Sequence, residues 1–303
     1  MNKKNSIAWP IAICADSDIA DKIEVILHIN LFLPNNNENS YIEIGVLVSR
    51  KEYNNISRNF NINITLPFKI YKTDFIDIKD RLCDGKTINM IFNEETHLDK
   101  NKSSFRLKEY DLGNIELCNT TINNDTSITM SVKEQQKNSY FRFRVTNIKD
   151  KISDTMLSGT TANPFIKAIK ITGISINLDR RFTKQIDNKI KFKEINTFII
   201  LDSTTELLEK NKSIKSFRVL EDDLWREYIG YDTDLNMTVY QFKESNLSGG
   251  CIESYQLFLK SLHHKSSKFE KYKFLLFVVL VAIASNFIYD LIKCFFNIKC
   301  FFK

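Results

Sequence analysis

Polar side chains stand where a hydrocarbon-soluble helix has no use for them. In KYKFLLFVVLVAIASNFIYDLIKCFF, Lys271–Phe296, the residues Ala282, Asn286, Asp290 and Lys293 follow one another at spacings of four, four and three. Helical geometry puts residues so spaced on one face. A carboxylate facing lipid is costly, so residues of this kind face a bundle interior or a water-filled path. Three arrangements are open. Asp290 and Lys293 pair with each other near the interface; or the face joins identical helices through Asn286; or several copies enclose a conducting path lined by Asn286 and Asp290. The last two require a homo-oligomer.

A second kind of chemistry comes from clustered cations. From Arg142 to Lys193 there are twelve Lys or Arg against four Asp or Glu. Strand pairing that gathers Arg142, Arg144, Arg180, Arg181 and Lys184 on one surface makes an anion-binding patch. It suits a nucleotide, an oligonucleotide or a phospholipid headgroup. The alternative is a solvated Lys-rich face. A third cluster lies in LEDDLWREYIGYD, Leu220–Asp232. There Trp225, Arg226 and Tyr228 have the composition of a protein-contact hot spot, with burial in the core as the alternative.

Catalytic signatures do not appear. The four histidines are His28, His97, His263 and His264, and the sequence contains no HExxH, P-loop, GxGxxG or GxSxG. Only 8 Gly in 303 residues argues against phosphate-cradling loops. His97 beside Glu94 and Glu95 reads as a surface turn before a metal site. Six scattered Cys without a CxxC pair fit free thiols in a reducing compartment. No enzyme activity, metal or cofactor is therefore expected.

The elements that position these residues are mostly strands. NFNINITLPFKIY, SYFRFRV and SITMSV alternate apolar and polar residues with period two. Four segments also recur in order. NSYIEIGV returns as NSYFRFRV, NINIT loosely as AIKIT, DKNKSSFRLKEYDL as EKNKSIKSFRVLEDDL, and DTSITMSV as DTDLNMTV. The fold expected is an all-β body of two tandem duplicated β-sandwich-like domains followed by an α-helical transmembrane segment. Copy one spans 1–136 and copy two 137–244. Arg106 and Arg218, kept in both copies with nearby carboxylates, are expected to staple turns.

SNLSGGC, Ser245–Cys251, holds the sole Gly-Gly of the chain and reads as a hinge over 245–252. Tyr255, Phe258, Leu259 and Leu262 then recur at helical spacing, which predicts an amphipathic helix over 253–268. The membrane helix is expected over 269–296, with a short tail at 297–303. The sixteen residues Phe274–Tyr289 carry no charge, and at about 1.5 Å each they reach roughly 24 Å of a roughly 30 Å hydrocarbon core. A full span therefore runs on through Asp290. Lys265, Lys268, Lys271 and Lys273 upstream favour a cytoplasmic body. The opening MNKKNSIAWPIAICADSD mimics a leader, but Pro10 interrupts its apolar run, so an uncleaved, tail-anchored chain is expected. With 43% hydrophobic residues and a net charge of +6, the chain can build real cores, and its charge alone names no partner.

This layout, a β-body with an anion-friendly face, a Gly-Gly hinge and one polar-striped helix, resembles the single-helix membrane effectors of bacterial antiphage defence. The resemblance rests on architecture and assigns no residues. It implies a homo-oligomer in the inner membrane, with a cytoplasmic body that senses a nucleotide or oligonucleotide and gates or assembles a channel. The alternative is a membrane-tethered adaptor whose body binds a protein partner encoded nearby. Lipid is a partner in both readings.

Overall fold

The computed structural model describes residues 9–34, 40–51, 58–92, 96–108, 110, 112–148, 151, 153–158, 167–178, 183, 186–220, 225, 228–229, 237–246, 250–264 and 268–301. The body is mostly β-sheet, as its alternating sequence requires, and the chain ends in one long helix.

Two mixed sheets form the body. The 8-stranded sheet has the order β15(Glu206–Lys210)-β18(Tyr255–His264)-β13(Lys167–Ile176)-β1(Trp9–Ala15)-β4(Phe60–Thr65)-β10(Ser127–Val132)-β9(Thr120–Asn124), with β12(Ser153–Ser158) also on β13. The 10-stranded sheet has the order β16(Ser216–Val219)-β17(Met237–Ser245)-β14(Phe192–Asp202)-β2(Ile23–Leu33)-β3(Tyr41–Arg50)-β11(Asn138–Thr146)-β8(Ile115–Leu117)-β7(Ser104–Arg106)-β6(His97–Leu98), with β5(Phe75–Asp77) also on β11. Two short helices, α1(Lys79–Leu82) and α2(Gly85–Phe92), follow β5.

Alternation assigns each face. Along β11, Phe141, Phe143 and Val145 enter the core that holds Ile13, Ile62, Ile64 and Leu257 of the other sheet. Ile42, Ile44, Val46 and Val48 of β3 join them. The opposite face of the 10-stranded sheet is covered as well. Tyr140, Leu47, Ile26 and Ile200 pack there with Ile78 and Leu82 at α1, Ile88 of α2, and Trp225, Tyr228 and Ile229. This double cover explains why β3 is buried at every position, although a half-exposed strand would show only alternate residues inside.

The two expected halves interleave. Each sheet has a parallel pair near its middle that joins them, β1 with β13 and β2 with β14. The boundary at 136/137 is therefore not a boundary between packed bodies, since β11 pairs with β3 along its whole length. The matched segments also take different places. β3 and β11 are antiparallel neighbours, β4 and β13 flank β1 in opposite directions, and β10 and β17 belong to different sheets.

Near the C-terminus two expectations are corrected. The segment expected to be an amphipathic helix over 253–268 is strand β18, paired with β13 from Tyr255↔Ile176 to His264↔Lys167. Tyr255, Leu257 and Leu259 point into the core at period two, and Gln256, Phe258 and Lys260 alternate with them. The expected hinge does not leave the body. It carries the chain from β17 in one sheet to β18 in the other, held by a bridge in which Ile252 and Phe192 exchange backbone hydrogen bonds at 2.7 and 2.9 Å. Of its two glycines, Gly249 lies outside the described residues and Gly250 is exposed. The apolar run at the N-terminus is the central strand β1, with Ile11, Ala12 and Ile13 buried.

The chain leaves the body after His264 and enters α3(Lys268–Phe301), 34 residues long. At 1.5 Å per residue it reaches about 51 Å. Its stretch Leu275–Lys293 is apolar and long enough to cross a membrane, and none of it is buried against the body.

Strand and helix at 255–264 make opposite demands on neighbouring residues. Leu257 is 1% exposed, so Leu257→Ala should cost about 2–4 kcal/mol, and Phe258→Ala clearly less. Urea unfolding followed by tryptophan fluorescence measures both; a helix would reverse the order.

Candidate functional site: a buried ion network and an unburied helix

The cations expected on an open patch are inside the protein. Arg142 is 1% exposed and Arg144 4%. Alternation sends Phe141 and Phe143 into the core between the sheets, so both arginines must enter the layer on the other face. Register does the rest: Arg144 stands opposite Glu43 and Arg142 opposite Gly45.

Glu43 sits between the two guanidiniums. Arg142 Nε and Nη2 donate to its Oε2 at 3.0 and 2.7 Å, and Arg144 Nε donates to Oε1 at 2.7 Å. Tyr228 donates its hydroxyl to Oε2 at 2.5 Å. Two cations against one carboxylate leave an extra buried positive charge, and neutral oxygens take the remaining donors. Arg144 Nη1 reaches the carbonyl of Ile229 at 3.1 Å and Nη2 that of Tyr228 at 2.9 Å. Arg142 Nη1 donates to the Tyr140 hydroxyl at 2.9 Å. Asn30, with its amide oxygen turned to the guanidinium, accepts from Arg142 Nη2 at 2.6 Å. The Arg144 guanidinium also lies 3.9 Å over the ring of Tyr41, a cation–π contact that partly replaces lost water.

Gly45 is required by this packing. A Cβ there would stand 2.4 Å from the Tyr140 hydroxyl and 3.0 Å from Arg142 Nη1, and both atoms are held by the network. Arg81 Nη1 donates to the Tyr228 carbonyl at 3.0 Å, tying the end of α1 to the same point. The cluster thus fastens Tyr228, Ile229 and α1 to the sheet.

Burial by itself would raise the Glu43 carboxyl. Arg144, Arg142 and the Tyr228 hydrogen bond outweigh it and hold the group below its ordinary 4.5. Nearby His28 places Nδ1 3.4 Å from the Tyr140 hydroxyl. Burial first, then the charges of Arg142 and Lys243, bring its pKa down to about 3, so it is neutral at physiological pH. A second polar group adjoins on the same face. Glu194 pairs with Lys243 at 2.9 Å and accepts from Tyr110 at 3.0 Å and Asn196 at 2.6 Å.

The other expected site residues divide as follows. Trp225 and Tyr228, expected at a protein contact, are buried at 8% and 4% exposure; their rings meet edge to face at 5.9 Å. That places them in the core under the network and corrects the contact-surface reading. Arg180, Arg181, Lys184 and Arg226 lie outside the described residues, so the cation patch loses Arg142 and Arg144. Arg106 donates to Asn114 at 2.5 Å, and Arg218 lies 5.6 Å over Trp225; the carboxylates expected beside them also lie outside. Ala282, Asn286, Asp290 and Lys293 are all exposed on α3. Among the described residues no group of three or more His, Cys, Asp or Glu converges to hold a metal ion.

Glu43, Asn30, His28 and Tyr140 were not singled out by sequence. The available signal for Glu43 was its sign: it is an acid on the same strand phase in which β11 carries two arginines.

No protein-family model and no curated protein matches the chain. Similar solved structures include the M1 zinc metallopeptidase from Deinococcus radiodurans, seen as a mutant bound to a Tyr-Ser-Ala substrate at 7% identity and in a second structure at 6%, both with TM-score 0.32. Each covers 79% of this chain and 42% of that one, so the chain spans less than half the length of those peptidases. The yeast delta-COP-I mu-homology domain complexed with a Dsl1 WxWxV peptide is similar at 11% identity and TM-score 0.19, covering 82% of this chain and 76% of that one. At these scores the likenesses carry no argument about fold or activity.

The network makes two measurable demands. Glu43→Gln leaves two buried guanidiniums without a counter-charge and should cost about 3–5 kcal/mol in urea unfolding. Neutral His28 supplies stability that is complete above about pH 6.5 and is lost as pH falls toward 3, because only the unfolded chain takes up the proton. The expected slope is about 1.4 kcal/mol per pH unit. Between pH 6 and pH 5, before Glu43 begins to contribute, wild-type stability should fall more steeply than that of His28→Gln by this amount.

Proposed function

We propose that the chain is a single-pass membrane protein in which α3 tethers the β-body to the bilayer and associates with copies of itself through Ala282, Asn286, Asp290 and Lys293. The observation that carries this is exposure. Every side chain from Leu275 to Lys293 is exposed, whereas among the described body residues only Tyr71, Leu208, Phe217 and Val219 are large apolar side chains left exposed. In water such a surface would be prohibitive. In hydrocarbon the apolar part is satisfied and only the polar stripe needs a partner, which an identical helix supplies with the same stripe.

Charge placement agrees. Lys268, Lys271 and Lys273 lie in the first turns of α3, where the helix dipole disfavours cations. A surplus of lysines at the start of the helix supports a body on the cytoplasmic side of the inner membrane. The oligomer then encloses a path lined by Asn286 and Asp290, and the β-body controls its assembly in the manner of a sensor-effector. Ligand recognition in that scheme falls to Arg180, Arg181 and Lys184.

The burial of Arg142 and Arg144 favours a second reading, in which the body is a protein-binding adaptor and α3 a passive tether. Liposomes separate the two. Wild-type protein should release a trapped ion, and Asn286→Leu with Asp290→Leu should reduce release at least tenfold and weaken cross-linked oligomers in detergent. Unchanged release in the double variant removes the pore. Full activity after residues 275–293 are replaced by a plain leucine span establishes the tether.

A further inference from the structure

We infer that Tyr289 of each α3 donates its hydroxyl to Asp290 of the next copy, and Asn286 donates to that neighbour's Ser285, in a ring of parallel helices. This rests on the self-association proposed above and names the bonds that hold the copies together.

Five polar side chains lie in the apolar stretch Leu275–Lys293: Ser285, Asn286, Tyr289, Asp290 and Lys293. All five are exposed, Tyr289 at 65%. Ser285 donates to the Val281 carbonyl of its own helix at 2.8 Å. Among the described residues, the side chains of Asn286, Tyr289 and Asp290 make no hydrogen bond or ion pair, and Asp290 does not pair with Lys293 three residues on. Lys293 closes the stretch and can carry its charge out to the headgroups along its own stem. The other three need a partner in hydrocarbon that their own helix does not provide.

Helical geometry sorts them onto two flanks. At about 100° per residue, counted from Ala282, Ser285 and Tyr289 lie about 60° and 20° to one side, and Asn286 and Asp290 about 40° and 80° to the other. One flank therefore carries two hydroxyls, and the other an amide and a carboxylate. Copies related by rotation about an axis along the helices set the first flank of each against the second flank of the next. The heights agree. Tyr289 and Asp290 differ by about 1.5 Å along the axis, and so do Ser285 and Asn286. One register thus makes both bonds, a turn apart.

Donors and acceptors agree as well. The Tyr289 proton meets a carboxylate, which keeps a second oxygen for the enclosed path. Ser285, whose own proton goes to Val281, accepts from the Asn286 amide. Within one helix the Tyr289–Asp290 bond is not made, because adjacent residues do not face each other. Lys293 lies about 20° from Ala282, near the middle of the face. A two-helix pair would bring these like charges together, whereas a wider ring separates them.

Sedimentation equilibrium of the full chain in density-matched detergent micelles tests the bond. Tyr289→Phe deletes one oxygen and leaves the helix more apolar, so it keeps the span and removes only the donor. It should weaken self-association about threefold or more. Asp290→Ala should weaken it too, and Tyr289→Phe with Asp290→Ala no further than Asp290→Ala alone, because both changes remove the same bond. An equimolar mixture of the two single variants should associate more tightly than either alone, since an intact donor and an intact carboxylate then meet between unlike chains. Wild-type affinity in Tyr289→Phe overturns the inference and makes Tyr289 an interfacial aromatic. So does a mixture no tighter than its components. A wild-type chain that is monomeric in both micelles and liposomes removes the proposed self-association itself.

Discussion

A carboxylate closed away from water between two guanidiniums has to be met on every side, and much of this body is arranged to meet Glu43. The demand begins with alternation in β11. Phe141, Phe143 and Val145 go to the core between the sheets, which sends Tyr140, Arg142 and Arg144 to the other face. Two charged side chains there can be buried only with a counter-charge and further acceptors. β3 brings Glu43, the 228–229 backbone brings two carbonyls, and Tyr140, Tyr228 and Asn30 bring neutral oxygens. Gly45 leaves the room they occupy. The covering layer of α1, α2, Trp225, Tyr228 and Ile229 is thus held by polar bonds at one point and by apolar packing around it.

The cost of this arrangement bears on function. A guanidinium pair whose donors already reach protein oxygens offers nothing to a soluble anion. The donors of this network are taken by Glu43, the Tyr228 and Ile229 carbonyls and neighbouring hydroxyls. The helix stands apart from it. From Leu275 to Lys293 it contributes nothing to the core, and that stretch is apolar and long enough to cross a membrane.

The strands could be read in the sequence because a strand's two faces differ locally, within the six to ten residues that make it. The apolar helix could be read because a span depends on the length of a run and not on its neighbours. The polar stripe on α3 was legible for the same reason, since four residues of one helix share a face whatever surrounds them. β18 was not legible. Tyr255, Phe258, Leu259 and Leu262 fit a helical face, and Tyr255, Leu257 and Leu259 fit a strand face, so the segment satisfies both periods. β13, lying beside it through ten residue pairs, decided between them. The matched segments misled in a related way. Their likeness reflects the same local requirements for a strand or a turn, but places in a sheet are assigned by pairing with distant chain.

The sequence by itself determined which stretches form strands, that one terminal helix is fit for hydrocarbon, and which side of that helix is polar. Only the tertiary structure decided that Arg142 and Arg144 are buried, because their fate rests on Glu43, 99 and 101 residues away. It also decided that the two halves interleave and that 255–264 is a strand. The physical reason is the range of the forces: periodicity and hydrophobic length act along the chain, whereas burial of a charge depends on the partner that arrives from elsewhere in the fold.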